Sequence, residues 1–127
     1  MATKVSCKDI PLQRRYEPGF EMHFGITDET TGAKNGCVNR TTFPPKSKSK
    51  THIHTVGEMF WYCISGKAIW LVGKEKKEYV LEPGDFIYIP PREPHSTINP
   101  SEIEAIEGLG GYFGCSHPYK SGKEFLE

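Results

Sequence analysis

The sequence predicts an all-β sandwich or barrel, and three observations carry that expectation. Its 13 glycines and 10 prolines divide the 127 residues into short segments rich in β-branched and aromatic side chains. No stretch of helical length repeats apolar residues at helical spacing. Turn signals recur between the segments at the intervals expected of many short strands.

Taken in order, strands are expected over 20–26, 36–43, 51–54, 59–64, 68–73, 78–81, 85–89, 95–98 and 103–108. The first is the alternating run Phe20-Glu21-Met22-His23-Phe24, and the second ends against Pro44-Pro45. Ser65-Gly66 closes the most aromatic segment. The charged run Lys74-Glu75-Lys76-Lys77-Glu78 reads as a hairpin tip. Pro83-Gly84-Asp85 and the stretch from Pro90 to Pro94 mark the next two turns. Lys46-Ser47-Lys48-Ser49-Lys50 reads as a solvated loop or a lysine-blunted sheet edge, the sharper alternative being an electropositive rim that steers an anionic substrate. Only 119–127 suggests a helical turn.

Composition narrows the function classes. Sixteen basic side chains balance sixteen acidic ones, which argues against a nucleic-acid partner. No apolar run approaches the length of a membrane span. The opening residues MATKVSCKDIPLQRR carry charges throughout and no apolar core, so a cytoplasmic protein with reduced thiols is expected. Cys7, Cys37, Cys63 and Cys115 are scattered, without a Cys-x-x-Cys pair. One domain, 1–127, is expected at this length.

The chemistry is concentrated in the histidines. His52 and His54 are one residue apart in an extended segment, where positions i and i+2 share a face, so both rings can aim at one point. Glu58 follows four residues after His54, and His95 comes just after the proline-rich turn. Three neutral imidazoles and a carboxylate suit Fe, Mn, Ni, Cu or Zn. His23 and His117 carry no such pattern, and packing is the default for both.

The stretch 46–66 reads x5-His-x-His-x3-Glu-x7-Gly after Lys46, and 84–99 reads Gly-x5-Pro-x4-His-x3-Asn. Together these resemble the two motifs of the cupin superfamily, over about 44–99. The resemblance implies a small single-domain cupin, that is, a jelly-roll β-barrel with His52, His54, Glu58 and His95 as metal ligands. Lys46 and Arg92 stand where the family usually has glycine, so these turns are expected to be adapted. The interval from Glu58 to Gly66 is one residue longer than usual, and a β-bulge near Trp61 or Tyr62 would absorb it. A register shift of one would present Met59 instead and leave a three-histidine site; the spacing from His54 favours Glu58.

If Glu58 faces inward, Phe60, Tyr62 and Ile64 share its face, which makes Tyr62 a candidate acid beside the metal or a packed wall residue. Arg40 is a candidate for binding a substrate carboxylate if it too faces inward. Asn99 reads as a turn residue, and the glycine-rich 110–119, within a tail 109–127 that caps the barrel, as a lid. The resemblance implies a metal-dependent enzyme acting on a small oxygen-bearing molecule: a dioxygenase with Fe first, then a non-redox lyase, decarboxylase or isomerase, with a non-catalytic ligand-binding protein as the other class. It also implies a homodimer.

Overall fold

The structure is a computed structural model describing residues 1–127. Its strands are β1 (Leu12–Gln13), β2 (Glu21–Ile26), β3 (Gly36–Phe43), β4 (His52–His54), β5 (Glu58–Ser65), β6 (Ala68–Val72), β7 (Lys77–Leu81), β8 (Phe86–Ile89), β9 (His95–Ile98), β10 (Ile106–Phe113) and β11 (Lys123–Phe125). They form two antiparallel sheets, ordered β1-β2-β3-β10-β5-β8 and β11-β4-β9-β6-β7. This is a jelly-roll β-barrel, as the sequence led one to expect. No helix is long and apolar enough to cross a membrane.

The core lies between the sheets and is built on aromatic residues. Phe20, Phe43, Trp61, Trp70, Leu81, Ile89 and Ile106 form one buried cluster, with Phe43 stacked on Trp61 at 5.3 Å between ring centroids. Room for Trp61 comes from β10. A Cβ on Gly108 would stand 2.1 Å from Trp61 Cζ2, so only glycine lets the indole lie flat on that strand. Gly111 is held as tightly, since its Cβ would meet the Cys37 carbonyl oxygen at 2.0 Å. Trp61 Nε1 donates to Thr41 Oγ1 at 2.8 Å, which satisfies the one polar atom of the buried ring.

Three features differ from the sequence expectation. The last long strand starts at Ile106 rather than 103 and continues to Phe113, so Gly110 and Gly111 belong to the middle of a sheet and not to a lid. The glycines misled because they are there for close approach, not for mobility. The tail beyond them forms a single 3-10 turn, Pro118–Lys120, and then β11, which pairs with β4. The extra residue in β5 is absorbed by a bulge, but at Ile64: Ser65 pairs with Glu107 and Cys63 with Gly108.

The two turns lacking the usual glycine keep their geometry. Lys46 and Arg92 adopt φ of 63° and 68°, in the left-handed region. Their backbone amides hold them there, Lys46 N–H donating to Ser101 O and Arg92 N–H to His54 O. Asn99 is the turn residue expected of it: buried, its amide nitrogen donates to the carbonyls of Phe43, Pro44 and Glu104 and fastens three loop segments. Gly108→Ala should expel Trp61 from its ledge, costing about 3 kcal/mol, seen as a lowered urea midpoint with red-shifted tryptophan fluorescence.

Candidate metal centre

Two neighbouring strands bring three histidines together. His52 and His54 alternate inward on β4, and His95 at the start of β9 is the direct cross-strand partner of His52. The rings stand 4.3 to 5.1 Å apart between centroids. One ring nitrogen from each lies within 4.8 Å of the others. All three side chains are buried.

The other nitrogen of each ring is fixed from behind. His52 Nδ1 faces the Lys50 carbonyl at 2.7 Å, His95 Nδ1 the Glu93 carbonyl at 2.9 Å, and His54 Nδ1 the Ser121 hydroxyl at 3.0 Å. A carbonyl only accepts, so Nδ1 of His52 and His95 carries the proton and each Nε2 presents a lone pair. Burial also holds the rings neutral, pushing the pKa of His52 down to about 4, His95 to about 3 and His54 to about 2. His95 Nε2 is buried with no protein partner. Convergent, neutral, oriented imidazoles with an unpartnered nitrogen fit a divalent transition metal.

Beside His52 and His95 runs a narrow cavity of about 20 Å³, room for about one water molecule. Four buried side-chain polar atoms in the protein lack a partner: Glu17 Oε1, Asn39 Oδ1, Trp70 Nε1 and His95 Nε2. All four residues line this one cavity. Unsatisfied polar atoms are costly when buried, and here they gather where a ligand would satisfy them. Tyr112 closes one side. Its hydroxyl is 3.4 Å from His54 Nε2 and 2.7 Å from the Tyr16 hydroxyl, which reaches Ser121 Oγ at 3.0 Å. Burial raises the pKa of both tyrosines, so both remain protonated.

The structure does not bring Glu58 to the three histidines. Trp61 and Cys63 point into the core, so strand alternation turns Met59 inward and Glu58 outward. Glu58 accepts a 2.5 Å hydrogen bond from Tyr88 on the outer face. The bulge at Ile64 lies too far along β5 to change this. Tyr62 shares the outer face, where its ring meets the exposed Phe86 at 4.6 Å between centroids. Arg40 is turned out as well and pairs with Glu107, which also accepts from Thr42. Neither faces the histidines. His23 alternates with buried Met22 and Phe24, and His117 braces the 3-10 turn by accepting from Tyr119 N–H while facing Glu29.

Four residues at the site were not visible in the sequence: Glu17, Tyr112, Ser121 and Lys123. Glu17 and Lys123 form a buried 2.5 Å ion pair, and Glu17 Oε2 stands 3.5 Å from His52 Nε2. Lys123 and Phe125 on β11 lie opposite His54 and His52, a long-range pairing that nothing in the local sequence announces.

A jelly roll with three inward imidazoles at the joint of β4 and β9 defines a class of small β-barrel with a histidine cluster at its centre. Residues 39–107 match the cupin domain family, and the chain belongs to it. An uncharacterized protein of Methanocaldococcus jannaschii, MJ1618, is 38% identical over 79 residues, covering 59% of this chain and 54% of the relative; the chain thus spans about half the length of that curated relative. Among solved structures, the polyketide cyclase RemF from Streptomyces resistomycificus superposes with a TM-score of 0.80 at 18% identity, over 100% of this chain and 87% of that one. The Streptomyces nucleoside dehydratase Pac13 gives 0.78 at 9% identity, over 100% and 92%. A predicted oxalate decarboxylase of Thermotoga maritima gives 0.72 at 21% identity, over 87% and 98%. These likenesses establish the fold.

The buried histidines predict an acid-sensitive metal-free protein. Their folded pKa values lie below the ordinary 6.5, so below that pH the unfolded chain binds protons the folded chain refuses. Stability is full above pH 6.5 and falls as pH drops toward 4, by about 1.4 kcal/mol per pH unit for each such histidine. Urea midpoints between pH 7.5 and 4.5 should show this slope, and it should be shallower by one histidine's share in His95→Gln.

Proposed function

We propose that this cupin domain is a metal-dependent enzyme that holds a divalent transition metal on His52, His54 and His95 and acts on a small oxygen-bearing organic substrate. The observation that carries the proposal is the arrangement of the three rings, each anchored at Nδ1, with one ring nitrogen of each within 4.8 Å of the others. Such a metal, when bound, supplies Lewis-acid polarisation of a substrate oxygen. The protein supplies the rest. Asn39 Oδ1 offers an acceptor and Trp70 Nε1 a donor to the one small polar group that the cavity has room for, and both lack any other partner. Phe20, Met22, Phe43 and Met59 make the remaining wall apolar and exclude water. The protonated Tyr112 hydroxyl stands ready to donate to a substrate oxygen, with Tyr16 behind it to replenish the proton.

This inward donor favours non-redox chemistry, an elimination, decarboxylation or isomerisation, over oxygen insertion. The proteins of similar fold include a cyclase, a nucleoside dehydratase and a predicted oxalate decarboxylase. The apolar wall favours the second reading, a dioxygenase using Fe(II), because such a lining accommodates O₂. Elemental analysis should find Fe, Mn, Ni, Cu or Zn near one equivalent in the wild type and little in His54→Ala. Protein loaded with Zn or Mn and offered oxalate without oxygen should then turn over substrate, and Tyr112→Phe should lower kcat by about 100-fold. Oxygen uptake with catechol, diketone or thiol substrates after anaerobic Fe(II) loading would establish the dioxygenase instead.

We further propose a cytoplasmic homodimer. All four cysteines are free. The outer face of β10-β5-β8 carries Leu109, Phe113, Ile64, Phe86 and Tyr88 exposed together, with Phe86 78% exposed, beside the open edge of β8. A two-fold axis across that face would cover it with its own copy. Light scattering should give twice the chain mass for the wild type and the chain mass for Phe86→Glu.

A further inference from the structure

The carboxylate missing from the histidine cluster has a counterpart in the loop between β1 and β2. Glu17 is 5% exposed and lines the same cavity as His52 and His95. It reaches this position because Tyr16 beside it is buried against Phe24 and Tyr119, and because the Phe20 N–H returns to the Glu17 carbonyl in a turn. One carboxylate oxygen, Oε2, is held by Lys123 at 2.5 Å and stands 3.5 Å from His52 Nε2. The other, Oε1, is buried without a partner, as is His95 Nε2 across the cavity. Oε2 and His52 Nε2 are thus as far apart as two donors on one ion, each about 2.0–2.2 Å from it, while the carboxylate stands outside the 4.8 Å grouping of the three histidines and joins it by turning its free oxygen inward. A glutamate anchored by one oxygen with the other free has the constitution of a metal ligand.

We propose that Glu17 is the carboxylate ligand of this site, taking the place that Glu58 leaves by facing outward, with Lys123 as the cation that keeps it buried and correctly turned. The resulting donor set is three imidazoles and one carboxylate drawn from three separate segments. Lys123 comes from the last strand, so both ends of the chain take part in holding the ion. This inference rests on the metal reading above.

The test uses the full-length protein, stripped of metal and reloaded with Zn(II) or Co(II). Wild type should bind one equivalent, and His54→Ala should lose it. Glu17→Gln should bind Zn(II) about tenfold or more weakly in competition with a chelator, and the visible absorption of its Co(II) form should change in position and intensity as the donor set changes. Because Glu17→Gln leaves Lys123 buried and unpaired, the double variant Glu17→Gln, Lys123→Met removes both charges, and it should show the same weakened affinity and altered spectrum. If both variants bind Zn(II) within twofold of wild type and give its Co(II) spectrum while His54→Ala is impaired, Glu17 is only the counter-ion of Lys123 and the inference falls. If wild type itself binds neither ion, the metal reading fails first.

Discussion

The contact between Trp61 and the glycines of β10 fixes more of this molecule than any other. An indole 1% exposed has to lie against a strand without side chains, and Gly108 and Gly110 provide it. That contact joins β5 to β10 and sets which face of β5 is inward. Once Trp61 is in, Cys63 and Met59 are in, and Glu58, Phe60 and Tyr62 are out. The absence of Glu58 from the histidine site, the inward place of Met59 and the aromatic outer face all follow from the orientation of one side chain. Part of the site's make-up therefore depends on a packing decision made in the facing sheet rather than on the histidine strands themselves.

The same decision explains how far the sequence could be read. The strands from β2 to β9 were legible because glycine and proline bracket them, and the three histidines because period-2 alternation and the two motifs place them without ambiguity. Lys46 and Arg92 show that a motif can be recognised with its glycines replaced, since hydrogen bonds from the backbone hold the left-handed turns. Glu58 was misplaced because its facing depends on parity, and the motif's spacing alone does not fix parity. Counting inward from Trp61 would have given the correct face, but that requires knowing that the indole has a glycine ledge 47 residues further along the chain, at Gly108. Glu17, Tyr112, Ser121 and Lys123 were illegible for a related reason. Each is ordinary in its local sequence, and only long-range strand pairing brings them to the histidines.

The energetics of the cluster are unlike those of a packed apolar core. Three imidazoles are kept neutral in a dry interior, and burial drives Glu17 up and Lys123 down toward their own uncharged forms, a tendency their close pairing opposes. A fold optimised for stability alone would fill this volume with hydrocarbon. Instead, polar atoms behind the rings are satisfied, while four on residues that line the cavity are not. That division separates structural hydrogen bonding from hydrogen bonding reserved for a ligand.

The division also falls along the chain. All three histidines lie within 39–107, the stretch that matches the cupin domain family. The groups that approach the Nε2 atoms of His52 and His54 lie outside it: Glu17 before, Tyr112 after, with Tyr16, Ser121 and Lys123 supporting them. The family stretch thus supplies a common centre, and the two terminal segments supply the charge and proton donors around it. Since a fold hosts many reactions and the side chains around the centre choose among them, the terminal segments, together with Asn39 and Trp70 from the family stretch, are where the proposed chemistry of this barrel would be set.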